Sequence, residues 1–365
     1  MNGAVKVSKQ SRMTSLGLLV RFRIFARNAI NWGRGMVEEA PKRSARLSSL
    51  YYLALSREFD LEHQAVLAGK RAVSGVADSN KKAFILRRLV HRLEKGLIMR
   101  PRRNIFAEDY IETAVNYFVE LNGKGFLAQQ ELDWFSGVLH EYFDVVADTP
   151  LIAASRQKFH GIISSRCGAG SIPYPARFKP ESNVSYKDLD ALTIRRSSVR
   201  WYQDRPVSLD LVRAAVDTAC NAPSACNRQP YSFHVTSSKE AAVALARCAG
   251  GAAGFADNVQ CVVAVTGNLA AYVHERDRHI IYIDASLAAM QFLLAVETLG
   301  LASCVINWPD VSLQEQKIRS LLDIAVHERV IMLISVGYAD PDGGVPFSQK
   351  NRSNKVMKLV SIKGE

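Results

Sequence analysis

The sequence predicts an α+β protein: a mostly helical N-terminal half, then a domain in which strands and helices share one core. Three observations carry this reading. From residue 45 to about residue 159, apolar positions recur at helical spacing with few strand signals. Beyond residue 185, short apolar runs at 231–236, 259–266, 302–306 and 330–337 alternate with helical patterns. Between the halves, residues 161–187 contain Gly168, Gly170, Pro173, Pro175 and Pro180 without sustained periodicity, the composition of a linker. The expected organisation is a basic arm over 1–44, a helical domain over 45–160, a linker over 161–185 and a second domain over 186–365. A chain of 365 residues, 48% of them hydrophobic, has material for a core in each half.

Taken in order, 47–55, 77–96, 107–121 and 127–146 carry 3.6-period apolar faces. Asp60 and Ser79 read as N-terminal caps, and Gly123 with Gly125 marks a break. The 208–221 segment is a helix whose Leu211, Val212, Ala215, Val216 and Ala219 share a face. Ser208 is its expected cap, with Asn221 and Pro223 as its stop. Residues 231–236 alternate like a strand with one buried face. A helix over 241–249 ends at Gly250-Gly251, and the next strand, 259–266, is apolar on both faces and therefore central. A long apolar helix over 284–299 is closed by Gly300. Its Met290, Phe292, Leu293 and Leu294 are expected in the core or at a subunit interface. The strand 302–306 follows, running into Asn307-Trp308-Pro309, and 330–337 is a last buried strand.

The formal charge of +12 is uneven. Residues 1–103 hold 22 Lys+Arg against 7 Asp+Glu, leaving 25 against 28 in the remainder. Basic segments meet nucleic acid, anionic lipid or acidic partners. The sequence has neither paired zinc ligands nor an aromatic RNA-binding strand, so nucleic acid is not expected. In 15–32 an apolar run is interrupted by Arg21, Arg23 and Arg27, and no cleavage site follows. That pattern fits neither a secretory signal nor a transmembrane helix. It fits a basic amphipathic helix making peripheral membrane contact, or an arm resting on its own domain. Six cysteines without a C-x-x-C read as reduced thiols of a cytoplasmic protein. His91 and Glu94 stand three apart with no second pair. No metal site is expected there, and the charged 87–97 stretch reads as a solvated or salt-bridged helix face.

Three stretches carry chemistry. The loop Ala222-Pro223-Ser224-Ala225-Cys226-Asn227-Arg228-Gln229-Pro230 sits between a helix and a strand. It is dense in amides and hydroxyls that can meet a flat heteroaromatic ring. Upstream, Arg196-Ser197-Ser198-Val199-Arg200 offers two guanidinium groups with hydroxyls between them, which suits a phosphate dianion. Near the end, Lys350-Asn351-Arg352 adds two cations.

Together these stretches resemble the nitroreductase superfamily of FMN-dependent oxidoreductases. Arg196, Ser198 and Arg200 match its Arg-x-Ser-x-Arg segment. Ala222, Pro223, Ser224, Asn227, Gln229 and Pro230 match its Ala-Pro-Ser-x-x-Asn-x-Gln-Pro loop, and Lys350 with Arg352 its C-terminal Lys-x-Arg. The resemblance covers about residues 186–365 and implies a three-layer α-β-α FMN-binding domain. It places Arg196, Ser197, Ser198, Arg200, Lys350 and Arg352 around the FMN phosphate, and Pro223, Ser224, Asn227 and Gln229 against the ring. The backbone at Ile306 and Asn307 would donate to the pyrimidine edge. The family's chemistry implies NADH or NADPH as donor, a ping-pong cycle, an unidentified small-molecule acceptor, and no catalytic side chain beyond the flavin. It also implies a homodimer with the 222–230 loop contributing across the interface. Where bacterial relatives commonly carry Glu-Gly beside the flavin, this chain has Asn307-Trp308, so Trp308 is expected to narrow the substrate pocket. The charged 87–97 segment resembles one in a subgroup with an N-terminal helical extension, often encoded beside surface-polysaccharide enzymes. The alternative is a catalytically idle flavin fold that docks through its basic helical half on a membrane or biosynthetic complex.

Overall fold

The structure, a computed structural model, describes residues 44–71, 76–163, 171–272 and 274–361. Residues 1–43, and with them the 15–32 segment and nearly all of the basic arm, lie outside the described residues, as do Cys167, Gly168 and Gly170. The chain divides into two compact units, Met1–His63 and Gln64–Glu365.

In the first unit, α1 (Ala45–Ala54) buries none of its residues. Ring contacts run from Tyr51 through Tyr52 and Phe59 to His63, in the first turn of α2 (Asp60–Arg71). The division falls inside α2 and not in the 161–185 stretch; past Gln64, Ala65 packs with Leu269 and α3 lies against the 225–227 and 269–271 turns of the sheet domain.

The second unit opens with α3 (Val76–Leu97), α4 (Ile111–Gly123), α5 (Gln129–Val145) and α6 (Pro150–His160). Their apolar stripes meet in one core. Leu86, Val90 and Leu93 from α3 pack with Ile111 and Phe118, with Phe135 and Leu139, and with Ile152 and Phe159. Ser79, expected as a cap, lies inside α3 and is 6% exposed, so the helix starts further upstream. Thr149 caps α6, accepting the Ile152 N–H at 3.3 Å, with Pro150 in the first turn where its missing N–H costs nothing.

The remaining chain builds a four-stranded antiparallel sheet of order β1-β2-β4-β3. Its strands are β1 (Tyr231–Val235), β2 (Cys261–Asn268), β3 (Ala302–Asn307) and β4 (Glu328–Gly337). The strand expected to be central is central, and the alternation along it explains the layers. Val262 and Ala264 of β2 point to one face, against α9 (Lys239–Ala246) and α11 (Ser312–Leu322). Val263 and Val265 point to the other, against α8 (Leu209–Ala219) and α10 (Ile280–Thr298). Both faces of the sheet are covered by helices, giving three α-β-α layers.

Ser208 precedes α8 as expected, but its hydroxyl makes no capping bond. By contrast α7 (Tyr186–Arg195) is fixed by a reciprocal box: the Asp188 N–H donates to Ser185 Oγ, and Ser185 N–H to the Asp188 carboxylate. The stretch ending in α10 has the length and hydropathy of a membrane span, yet half of it is buried inside the fold. Its Ala285, Ala288, Phe292 and Val296 lie in the layer against β2 and β4.

Candidate functional site

The 196–200 segment leaves α7 and runs beside the outer edge of β3. Ser198 forms a parallel bridge with Ser303, and the Val199 N–H donates to the Ser303 carbonyl at 3.0 Å. The segment is anchored at both ends. Arg195 Nε donates to Glu297 on α10 at 2.8 Å. At the other end, the buried Tyr202 donates its hydroxyl to the Val199 carbonyl at 2.7 Å and sits 2.8 Å from Ser335 Oγ on β4. Tyr202 needs Gly337 beneath it, since a Cβ there would lie 2.6 Å from the ring.

Arg196 and Arg200 therefore flank the start of β3. Burial pushes the Cys304 thiol up, while Arg200, a hydrogen bond from Ser198 and the charge of Arg196 pull it back. Among the described residues neither guanidinium pairs with a carboxylate; Arg200 donates only to the Ser198 carbonyl, at 3.4 Å. Two unneutralised forks beside the Ser197 and Ser198 hydroxyls fit a phosphate dianion.

Successive residues of a strand present their backbone groups to opposite sides. Ser303 faces outward, so Val305 and Asn307 also present theirs to the uncovered edge, and Ile306 turns its own toward β4. Of the two residues expected to donate from the backbone, Asn307 is on the open edge and Ile306 is in the β4 ladder. Trp308 is 7% exposed and lies in the core, where its indole donates to Glu315 at 3.1 Å. Glu315 is held in turn by Arg319 and Arg329. Trp308 thus packs beneath the strand end instead of narrowing an open pocket.

The 222–230 loop lies at the opposite edge, where it feeds β1. It contains a 3-10 turn over Ala225–Asn227 and left-handed backbone at Cys226, Asn227 and Gln229, with φ of 53°, 51° and 49°. Ser224 Oγ accepts the Gln229 N–H at 3.0 Å. Asp284 of α10 accepts the Ala225 N–H at 3.1 Å and the Tyr272 hydroxyl at 2.8 Å, while Arg228 lies over the Tyr272 ring at 4.5 Å. Arg87 of α3 reaches in to donate to the Asn227 carbonyl and to Gln229 Oε1. Pro223 is exposed at the loop's start.

Sequence reasoning missed Asp284, Tyr272, Arg228 and Arg87. Asp284 carried a readable signal, as an isolated carboxylate in the otherwise apolar first half of α10, which implies a buried partner. Lys350 and Arg352 lie in an exposed tail, and among the described residues neither is bonded to the 196–200 segment. The structure joins Arg196, Ser198 and Arg200 on one edge and Ser224, Asn227 and Gln229 on the other. Two strands separate β1 from β3, about 14 Å at ~4.8 Å per step.

Fold and site define a three-layer α-β-α domain with a cation-flanked strand edge and a polar helix-to-strand loop. The nitroreductase family model matches residues 194–338. A Methanothermobacter thermautotrophicus protein, provisionally named NADH dehydrogenase/NAD(P)H nitroreductase, is 30% identical over 169 residues, covering 45% of this chain and 84% of that protein. Bacillus subtilis YodC, provisionally named an NAD(P)H nitroreductase, is 26% identical over 197 residues, covering 45% of this chain and 93% of its own. The chain belongs to the nitroreductase family. Among solved structures, an FMN-dependent nitroreductase from Clostridium difficile is 24% identical, covering 48% of this chain and 98% of that one, with a TM-score of 0.39.

Proposed function

We propose that this protein is an FMN-dependent NAD(P)H oxidoreductase that works as a homodimer on a small-molecule acceptor. The observation that carries the reading is the pair Arg196 and Arg200, without a carboxylate partner among the described residues and held against β3 beside two hydroxyls. Such a pair satisfies a phosphate monoester by charge-assisted hydrogen bonds of about 1.5–3 kcal/mol each. Asn307 and Val305 offer backbone donors on the adjoining open edge, and the 222–230 loop offers its backbone with the Ser224 and Asn227 side chains. Bound FMN would supply two-electron transfer between a reduced nicotinamide and the acceptor, so the side chains need only bind, orient and exclude water.

The two halves of the site stand at opposite sheet edges, which a second copy would resolve by bringing its loop to the first copy's cations. Two features support pairing. Ile283, Leu287 and Met290 form an exposed apolar stripe along α10, at 58%, 43% and 41% exposure. The tail beyond Val345 exposes Phe347, Leu359 and Val360 and carries Lys350 and Arg352, as an arm that crosses to a partner would.

The test is titration of the purified protein with FMN, followed by anaerobic NADH and NADPH. The expected result is saturable binding, weakened about tenfold or more in Arg196→Ala and Arg200→Ala, and bleaching of the bound flavin by at least one nicotinamide. Absence of FMN binding refutes the proposal. Binding without bleaching favours the idle, docking fold.

A further inference from the structure

We infer that Arg87 is a positioning residue for the cofactor loop, so that α3 of the helical region sets the shape of a site built on the sheet domain. The inference rests on the reading of 222–230 as the loop that meets the flavin. Three observations converge on it.

The first is the fork itself. The Arg87 side chain is 14% exposed and divides its donors among three acceptors. Nε donates to the Asn227 carbonyl at 3.0 Å, Nη2 to Gln229 Oε1 at 2.7 Å, and Nη1 to Glu131 Oε1 at 2.7 Å. Its guanidinium lies 5.1 Å from the Trp134 ring, whose indole donates to Glu94 at 2.9 Å. The other Glu94 oxygen lies 3.1 Å from His91 Nδ1. Arg87, His91 and Glu94 of the charged 87–97 stretch thus form, with Trp134 and Glu131, a connected set that holds one guanidinium against the loop.

The second is where the fork lands. Asn227 and Gln229 both have left-handed backbone, a conformation that costs a non-glycine residue of order 1 kcal/mol and persists only when its surroundings impose it. Two of the three loop residues in that conformation are the ones Arg87 holds.

The third is the Gln229 amide. Its Oε1 is taken by Arg87 and its Nε2 donates to the Cys220 carbonyl at 2.9 Å. While Arg87 is in place both ends of this amide are held and its orientation is fixed. The loop then offers a ring its backbone and the Ser224 and Asn227 side chains, and Gln229 acts as a strut.

The experiment uses the full chain and the variants Arg87→Met, Arg87→Lys and Glu131→Gln. Hydrogen–deuterium exchange of peptides covering 222–230, read without cofactor, is expected to speed up about tenfold or more in Arg87→Met, from the loss of two charge-assisted bonds. Arg87→Lys, which keeps the charge but not the fork, should fall between, and Glu131→Gln should move the same way by less. Peptides from β4 should exchange as in the wild type, which separates a loosened loop from a misfolded protein. With FMN bound, Arg87→Met should shift the flavin absorption spectrum and weaken binding. Unchanged exchange at 222–230 overturns the inference. So does faster exchange with an unaltered flavin spectrum and affinity, since Arg87 would then be an anchor with no bearing on the site. If the wild type binds no FMN, the functional proposal fails while the exchange result still decides whether Arg87 holds the loop.

Discussion

Removing the Asp284 carboxylate should unseat the 222–230 loop and cost the fold a measurable share of its stability. Asp284 is 2% exposed and Tyr272 3%, with Arg228 alongside at 8%. The carboxylate accepts the Ala225 N–H at 3.1 Å and the Tyr272 hydroxyl at 2.8 Å, and faces the charge of Arg228, whose buried Nε has no partner among the described residues. In Asp284→Ala the N–H and hydroxyl lose a charged acceptor, at about 1.5–3 kcal/mol each. The Arg228 guanidinium also loses the attraction of the nearby carboxylate charge. These losses overlap, because relaxation around one relieves another, so the net expectation is about 4 kcal/mol. That is a large fraction of the ~5–15 kcal/mol available to a typical domain. Asp284→Asn keeps one acceptor oxygen and should lose about half as much. The assay is urea denaturation followed by tryptophan fluorescence at fixed protomer concentration, since pairing shifts apparent stability. A midpoint for Asp284→Ala equal to that of the wild type refutes the argument that this carboxylate holds the loop.

The same residue predicts a pH dependence. Burial holds the Asp284 carboxyl above the usual carboxylate range, partly offset by the Tyr272 hydroxyl, the Ala225 N–H and Arg228. The folded state keeps this proton at a pH where the unfolded chain has released it, so the group's contribution falls as pH rises from about 4 through the raised value. The stability advantage of wild type over Asp284→Asn should be greatest at the acid end, and denaturation at several pH values checks the slope. At the other edge of the sheet, Gly337→Ala would drive a methyl group into the Tyr202 ring, which its hydroxyl bonds keep from moving. The expected cost is about 1–3 kcal/mol, and an unchanged melting temperature would show that the ring has room. On α10, Leu287→Glu places a charge in the exposed apolar stripe. Light scattering should then report a monomer, and FMN affinity should fall about tenfold or more. A dimer of undiminished affinity would remove that stripe from the interface.

Much of this protein was legible in the chain because it depends on local pattern. The 259–266 run is apolar on both faces, which only a strand covered by helices on both sides can accept, and β2 is such a strand. The Arg196, Ser198 and Arg200 triplet, the 222–230 loop and the tail cations were visible as motifs because their chemistry lies in residue type and spacing. Periodicity was weaker at helix ends: Ser79 looked like a cap, yet α3 continues through it, since side-chain chemistry alone does not say where packing lets a helix begin.

What tertiary structure decided involves partners remote in sequence. Ala225 meets Asp284 from 59 residues away and Arg87 meets Gln229 from 142, separations at which neighbouring residues carry no information about the contact. Strand order, not strand identity, put the cation pair and the polar loop on opposite edges of the sheet. The side facing of β3 was settled by the Ser198–Ser303 bridge, which leaves the backbone of Asn307 open and commits that of Ile306. Trp308 stood in the sequence beside the expected pocket, but a buried carboxylate on α11 gave its indole N–H a partner inside the core. Sequence named most of the groups proposed to bind a phosphate and a ring. Only the fold could assign their directions, because direction follows from long-range pairing and from which buried polar groups must satisfy one another.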